Sequence, residues 1–115
     1  MPTPRVARNK LKLLRSEKLG RFGWLAHGFS TRPGGVSRVY GGRELNLGFT
    51  KEDSRAAVER NRELFLKSLG AVSTGHAWPL VALRQIHSDL IHRVDGGREQ
   101  PLAGDGLISD TPKLV

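Results

Sequence analysis

The chain has no cysteine, one methionine, one tyrosine and few aromatic residues. Without cysteine no disulfide forms and no thiolate is available to a metal ion. No apolar run is long enough to span a bilayer. The beginning of the chain is basic, but no apolar signal-peptide core follows. A cytoplasmic protein without a membrane partner is therefore expected. Only 37% of the 115 residues are apolar and 14 are glycine, which fits one small domain with many turns. Internal repeats and low-complexity tracts are also missing.

What the chain has instead is positive charge. Nineteen Lys and Arg residues oppose eleven acids, a formal +8, and the excess is concentrated at the start. Arg5, Arg8, Lys10, Lys12, Arg15, Lys18 and Arg21 stand against Glu17 alone. Residues 1–21 read as a basic arm, which suits nucleic acid or an acidic surface. No aromatic is interleaved with those charges, so bases have no platform to stack on. A solvated leader is the simpler reading, and nucleic acid is not the expected partner.

Residues 22–115 read as the body. Leu11, Leu13 and Leu14 suit a short strand or helical turn laid against it. Phe22, Trp24, Leu25, Ala26 and Phe29 read as a buried strand over 22–30. That strand feeds His27-Gly28-Phe29-Ser30-Thr31-Arg32-Pro33-Gly34-Gly35-Val36-Ser37. Pro33 presets the second position of a turn, and Gly34 suits a positive φ at the third. Arg32 then leaves a rigid base, and its planar fork suits a phosphate or carboxylate. An ordinary surface turn with a solvated Arg is the plain alternative.

Gly41-Gly42 marks a second turn, and Leu45-Asn46-Leu47-Gly48 alternates briefly. Thr50, with Asp53 three residues on, has the outline of a capping box. Ala57, Val58, Asn61, Leu64, Phe65 and Leu69 then make one helical stripe, with Gly70 at the C′ position. Asn61 is the polar exception, expected to bond a neighbouring loop or to sit at the stripe's edge. Residues 71–79 read as a loop, with no role for His76. Leu80 to Ile86 and Leu90 to Val94 read as strands, Asp95-Gly96-Gly97 as a turn, and Leu107-Ile108 as the start of a further apolar run. The expected class is α+β: mixed β-sheets with flanking helices, incomplete because the chain stops in mid-domain.

Two positions carry possible chemistry of their own. His87, at the end of an apolar strand, can present a ring nitrogen from a fixed backbone, as a metal ligand or general base must. His27, His76 and His92 complete the histidines, and no pair has helical i, i+4 ligand spacing. A satisfied structural histidine is the plain alternative. Asp105, between Gly104 and Gly106, suits capping of backbone N–H groups or orientation of a catalytic group.

Five segments occur in one order: the His27 to Ser37 stretch, Leu45-Asn46-Leu47-Gly48, Glu59-Arg60-Asn61-Arg62, Leu83-Arg84-Gln85-Ile86-His87 and Asp105-Gly106-Leu107-Ile108-Ser109-Asp110. Together they resemble the N-terminal half of the laccase-domain family. Its members carry the labels polyphenol oxidase, purine nucleoside phosphorylase and peptidoglycan-editing factor. The resemblance implies a cytoplasmic, zinc-dependent enzyme with purine nucleoside and phosphate as partners. The implied reactions are phosphorolysis of adenosine, inosine and methylthioadenosine, and deamination of adenosine. It implies zinc held by two histidines and a cysteine, the first being the histidine of a Gln-(Val/Ile)-His motif, here His87. It also places Ser30, Thr31, Arg32 and Asn46 at the substrate. Phosphorolysis needs a cation near the attacking anion, so Arg32 is the candidate catalytic residue, facing phosphate or ribose.

The departures from that family are equally specific. Its Ala-Asp-Cys motif and second histidine ligand do not occur here, and Gly104 stands where the family usually has Ala. One ligand cannot hold a catalytic zinc. The expectation is an N-terminal fragment, inactive alone. With an apolar face uncovered and a strand edge unpaired, it is expected to be poorly soluble or partly disordered by itself. The competing expectation is a small basic nucleic-acid-binding or vestigial protein resting on its arm. Copper oxidation of phenols, the older label, would need several His-x-His pairs and a cysteine.

Overall fold

The computed structural model describes residues 11–97 and 100–115. Arg5, Arg8 and Lys10 of the expected basic arm lie outside the described residues. The class is α+β, with one α-helix and short two-stranded ladders among the described residues. The chain divides into two compact units, Met1–Gly70 and Ala71–Val115.

The first unit is built on helix α1 (Arg55–Leu69) and the strand it covers, β3 (Pro33–Ser37). The helix buries Val58, Asn61, Leu66 and Leu69, with Leu64 and Phe65 half-buried in the five-residue gap between Asn61 and Leu66. Leu45, Gly34, Gly35 and Ser37 are buried in the same unit. Of the stripe expected from spacing, Val58, Asn61 and Leu69 are buried and Ala57, Leu64 and Phe65 half-buried, while Leu66, outside it, is buried. At the C-terminus Gly70 takes φ 80, and its amide bonds the Lys67 carbonyl at 3.0 Å. Only a residue without Cβ adopts that left-handed cap freely. Arg15 Nη2 donates to the Ser68 carbonyl at 2.9 Å, which places a cation at the negative end of the helix.

The N-terminus differs from the capping-box expectation. The N-cap is Ser54, whose Oγ accepts from the Ala57 amide at 3.1 Å. Thr50 instead meets the Tyr40 hydroxyl at 2.8 Å. The reason lies in Asp53, whose carboxylate is occupied by Ser37 and Asn46 from outside the helix. An Asp held there cannot also close the first helical turn.

The expected strand over 22–30 is corrected as well. Only Phe29–Ser30 (β2) is extended, paired antiparallel with β1 (Leu13–Leu14), with Leu14 opposite Phe29. Residues 19–25 curl into successive turns: a 3-10 turn at Leu19–Arg21, then a Leu25 amide to Phe22 carbonyl bond at 3.1 Å. Trp24 is 80% and Phe29 78% exposed. Their apolar character suggested burial, but a two-residue ladder has only one neighbour and no layer over this face.

The Pro33-Gly34 turn is also corrected, because both residues belong to β3. Gly34 has the positive φ expected of it, 104°. The glycines serve close approach rather than reversal. The Gly34 amide donates to the Arg43 carbonyl at 3.2 Å and the Leu45 amide to the Arg32 carbonyl at 2.7 Å. A Cβ on Gly35 would lie 2.6 Å from Asn61 Oδ1 and closer still to the Glu44 carbonyl oxygen. The chain reverses instead at residues 38–43, where Gly41 has φ 102.

The second unit begins with a hairpin where a loop is expected. β4 (Val72–Ser73) pairs with β5 (His76–Ala77), and the turn residues Thr74 and Gly75 both have positive φ, 49° and 79°. That is the geometry of a two-residue turn matched to strand twist. Thr-Gly is a weaker signal for it than Asn-Gly, which is why composition favours a loop. Trp78 Nε1 donates to Ser73 Oγ at 2.8 Å and holds the hairpin.

Two parallel ladders follow: β6 (Leu83–Arg84) with β8 (Leu102–Ala103), and β7 (Ile91–Arg93) with β9 (Gly106–Ile108). Both expected strands in this part are therefore present but shorter. Ala71, Val81 and Val94 are the buried apolar side chains of this unit. The Val81 amide donates to the Val115 carbonyl at 2.6 Å, and the Val115 amide to Pro79 at 2.9 Å.

Candidate functional site

Arg32 stands between β2 and β3, so backbone pairing on both sides fixes its position. Its Nε donates to Glu44 Oε2 at 2.6 Å, and its side chain remains 74% exposed. Glu44 is brought across by antiparallel bridges to Pro33 and Ser37. The hydrogen bond from Arg32 to Glu44, and then their charge attraction, raise the guanidinium pKa further. The pairing uses the Nε edge. The two Nη groups make no hydrogen bond among the described residues. An oriented guanidinium with free terminal nitrogens can receive an oxyanion. Thr31 Oγ1 donates to the Lys12 carbonyl, and Ser30 lies opposite Leu13 with its side chain exposed.

Asn46 belongs to a polar network inward of that segment. Its Nδ2 donates to Asp53 Oδ2 at 2.9 Å, and its Oδ1 accepts from the Gly48 amide at 3.2 Å. Asp53 also accepts from Ser37 Oγ and from the Ser54 amide. These bonds, Asn46 first and then Ser37, hold the Asp53 carboxyl below the usual carboxylate range. Asn61 accepts from the Val36 amide at 2.7 Å and donates to Ser37 Oγ at 2.8 Å and to the Asn46 carbonyl at 2.9 Å. The buried amide thus bonds the neighbouring loop, one of its two expected placements. Both polar ends of Asn46 are engaged, Oδ1 within residues 46–48 and Nδ2 on Asp53.

His87 lies in the second unit, directly after the β6 segment. Its φ is 57°, unusual for a residue with a Cβ. The cause is Asp105, which accepts from the His87 amide at 3.0 Å, the Ser88 amide at 2.6 Å and Ser88 Oγ at 2.7 Å. Ser88 first, then the backbone amides, lower the Asp105 pKa. The His87 ring makes no hydrogen bond among the described residues. His27 and His92 are otherwise committed: the Ser16 amide donates to His27 Nε2 at 3.0 Å, and His92 Nε2 donates to the Ala103 carbonyl at 2.7 Å.

Glu44, Ser37 and Ser88 are parts of these arrangements that spacing did not reveal. Glu44 is twelve positions from Arg32 and Ser88 seventeen from Asp105. Such distances follow no helical or strand period.

Residues 26–115 match the profile of a family described as multi-copper polyphenol oxidoreductase laccase. No curated protein matches the chain. Among the described residues no three His, Asp or Glu side chains gather closely enough to hold a metal ion. The described side chains therefore supply neither the ligand set of a zinc site nor that of a copper site. None of the described helices is long and apolar enough to cross a membrane.

Proposed function

Because the chain belongs to the multi-copper polyphenol oxidoreductase laccase family, we propose that it is part of a domain that processes purine nucleosides by phosphorolysis, with deamination of adenosine as the second reaction. The observation that carries this reading is Arg32. Its guanidinium is anchored through Nε by Glu44 while both Nη groups stay open to solvent. Phosphorolysis requires a fixed cation where the attacking phosphate sits, and a preorganised one acts without reorganisation during the reaction. Ser30 and Thr31 flank it on a backbone tied to β1, and Asn46 holds the neighbouring loop.

His87 is the zinc ligand of this reading, with Asp105 fixing its backbone. The cysteine and second histidine that the resemblance implies are not matched in this chain, and a cytoplasmic location goes with the proposal. The test uses the protein isolated from its source cells. Phosphate-dependent release of the purine base from inosine or adenosine is expected. Arg32→Gln should raise KM for phosphate more than KM for nucleoside. Failure to release base from any nucleoside overturns the reading, as does an unchanged phosphate dependence in the variant.

A second reading gains one observation. Phe22 and Trp24 stand exposed with ring centroids 5.5 Å apart, next in the chain to Lys18 and Arg21. A basic segment beside a pair of aromatic rings is a surface for single-stranded nucleic acid. Binding that falls steeply with salt and is lost in Trp24→Ala would support it. Salt-insensitive or absent binding would remove it.

A further inference from the structure

We propose that the open edge of β7 pairs antiparallel with the same edge of a second copy of this chain, giving a two-fold dimer centred on Ile91. The inference goes beyond the nucleoside reading and uses none of the residues named there.

The register of β7 on β9 decides which backbone groups are open. Ile91 lies opposite Gly106, His92 opposite Leu107 and Arg93 opposite Ile108. The Gly106 amide donates to the Leu90 carbonyl at 3.2 Å, and the Val94 amide to the Ile108 carbonyl at 3.0 Å. Parallel pairing alternates along a strand, so His92 turns its N–H and C=O toward β9. Ile91 and Arg93 therefore present theirs on the opposite edge. Neither amide is bonded there among the described residues. The Ile91 side chain, between them, is 68% exposed. A strand edge with free amides and an exposed β-branched residue is a template for another strand.

The occupant is identified by charge. Asp89 stands two positions before Ile91 and Arg93 two positions after it. An antiparallel copy centred on Ile91 sets Ile91 against Ile91, and Asp89 of each copy against Arg93 of the other. Opposite charges across a strand pair favour it, and like charges oppose it. The two neighbouring registers are worse. Centring on Arg93 sets arginine against arginine, and centring on His92 sets Asp89 against Asp95. The Asp89 carboxylate has no partner among the described residues. Arg93 holds Asp110 through one Nη at 2.9 Å, while its Nε and other Nη make no hydrogen bond among the described residues. That ion pair is exposed at both ends, so it competes weakly. Arg93 then bridges two carboxylates, one from each copy. The interface is self-complementary, as a two-fold contact must be.

Sedimentation velocity of the 115-residue chain, from micromolar to millimolar concentration, tests this. A monomer giving way to a dimer is expected, with exchange at the Ile91 and Arg93 amides slowing as the dimer forms. Ile91→Lys, at an exposed position, should weaken the dimer about tenfold or more by setting like charges against each other. Asp89→Arg alone sets two cationic pairs across the interface, and Arg93→Glu alone sets two anionic pairs. Each should sediment as a monomer where the parent chain is a dimer. An equal mixture of those two variants restores opposite charges at both ends and should dimerise again. A chain that stays monomeric at millimolar concentration overturns the proposal. So does association that runs past the dimer, or a mixture that associates no better than its components.

Discussion

Asn61 Nδ2 donates to Ser37 Oγ at 2.8 Å, and both residues are fully buried. This one bond joins the middle of α1 to the end of β3. Ser37 passes the network on to Asp53, just before the helix begins. The core of the first unit is therefore closed by a polar cluster in which every buried side-chain atom has a partner.

Asn61→Leu keeps the volume and removes the bonds. The Val36 amide and the Asn46 carbonyl would lose their partner in Asn61, at a cost of about 2–4 kcal/mol. Urea unfolding of the chain measures it. A loss below about 1 kcal/mol would show that water or relaxation replaces the amide.

Gly35→Ala should destabilise strongly, because its Cβ would press on backbone at Glu44 as well as on Asn61. Overpacking of this kind costs about 1–3 kcal/mol or more. Gly23→Ala, with nothing within 4 Å, is the control and should change stability little. Thermal melts of the two variants side by side decide the matter.

Ser54→Ala removes the N-cap oxygen of α1 and should cost about 1 kcal/mol. Thr50→Ala should cost less than half of that, roughly 0.5 kcal/mol or below, since Thr50 caps nothing. The reverse order of the two values would restore the helix start expected from spacing.

The acid side of the stability profile should be governed by Asp53 and Asp105. Both have folded pKa values below their unfolded ones, lowered by donated hydrogen bonds. Their contribution is complete above the unfolded value, about 3.9, and is lost as pH falls through the lowered folded values. Urea midpoints measured between pH 7 and pH 2 should therefore fall only in the acid range (about pH 4 and below). In Asp53→Asn and Asp105→Asn that fall should be smaller.

Asp105→Ala should release the His87 and Ser88 amides. Hydrogen exchange at those two positions is expected to rise well above that of the Ile91–Arg93 ladder. Unchanged exchange would mean that the left-handed backbone at His87 does not depend on the carboxylate.

Several features are legible in the sequence. The helix was marked by apolar spacing and by Gly70, and both are local signals: a 3.6-residue period and a residue without Cβ. Gly41-Gly42 marked its turn for the same reason. Asp105 between two glycines suggested capping, and it caps His87 and Ser88. Asn61 could be singled out as a polar residue on an apolar stripe, though not its three partners.

The chain alone determined the α+β class, the helix stripe, its glycine end and the family match across residues 26–115. Each depends on residues close in sequence or on motifs in a set order. Only tertiary structure decided that Pro33–Ser37 is a strand, that Glu44 anchors Arg32, that Ser54 rather than Thr50 starts the helix, and that Trp24 and Phe29 face outward. Those outcomes depend on which distant group occupies each hydrogen-bonding atom and which face finds a covering layer. Local propensity carries no record of either.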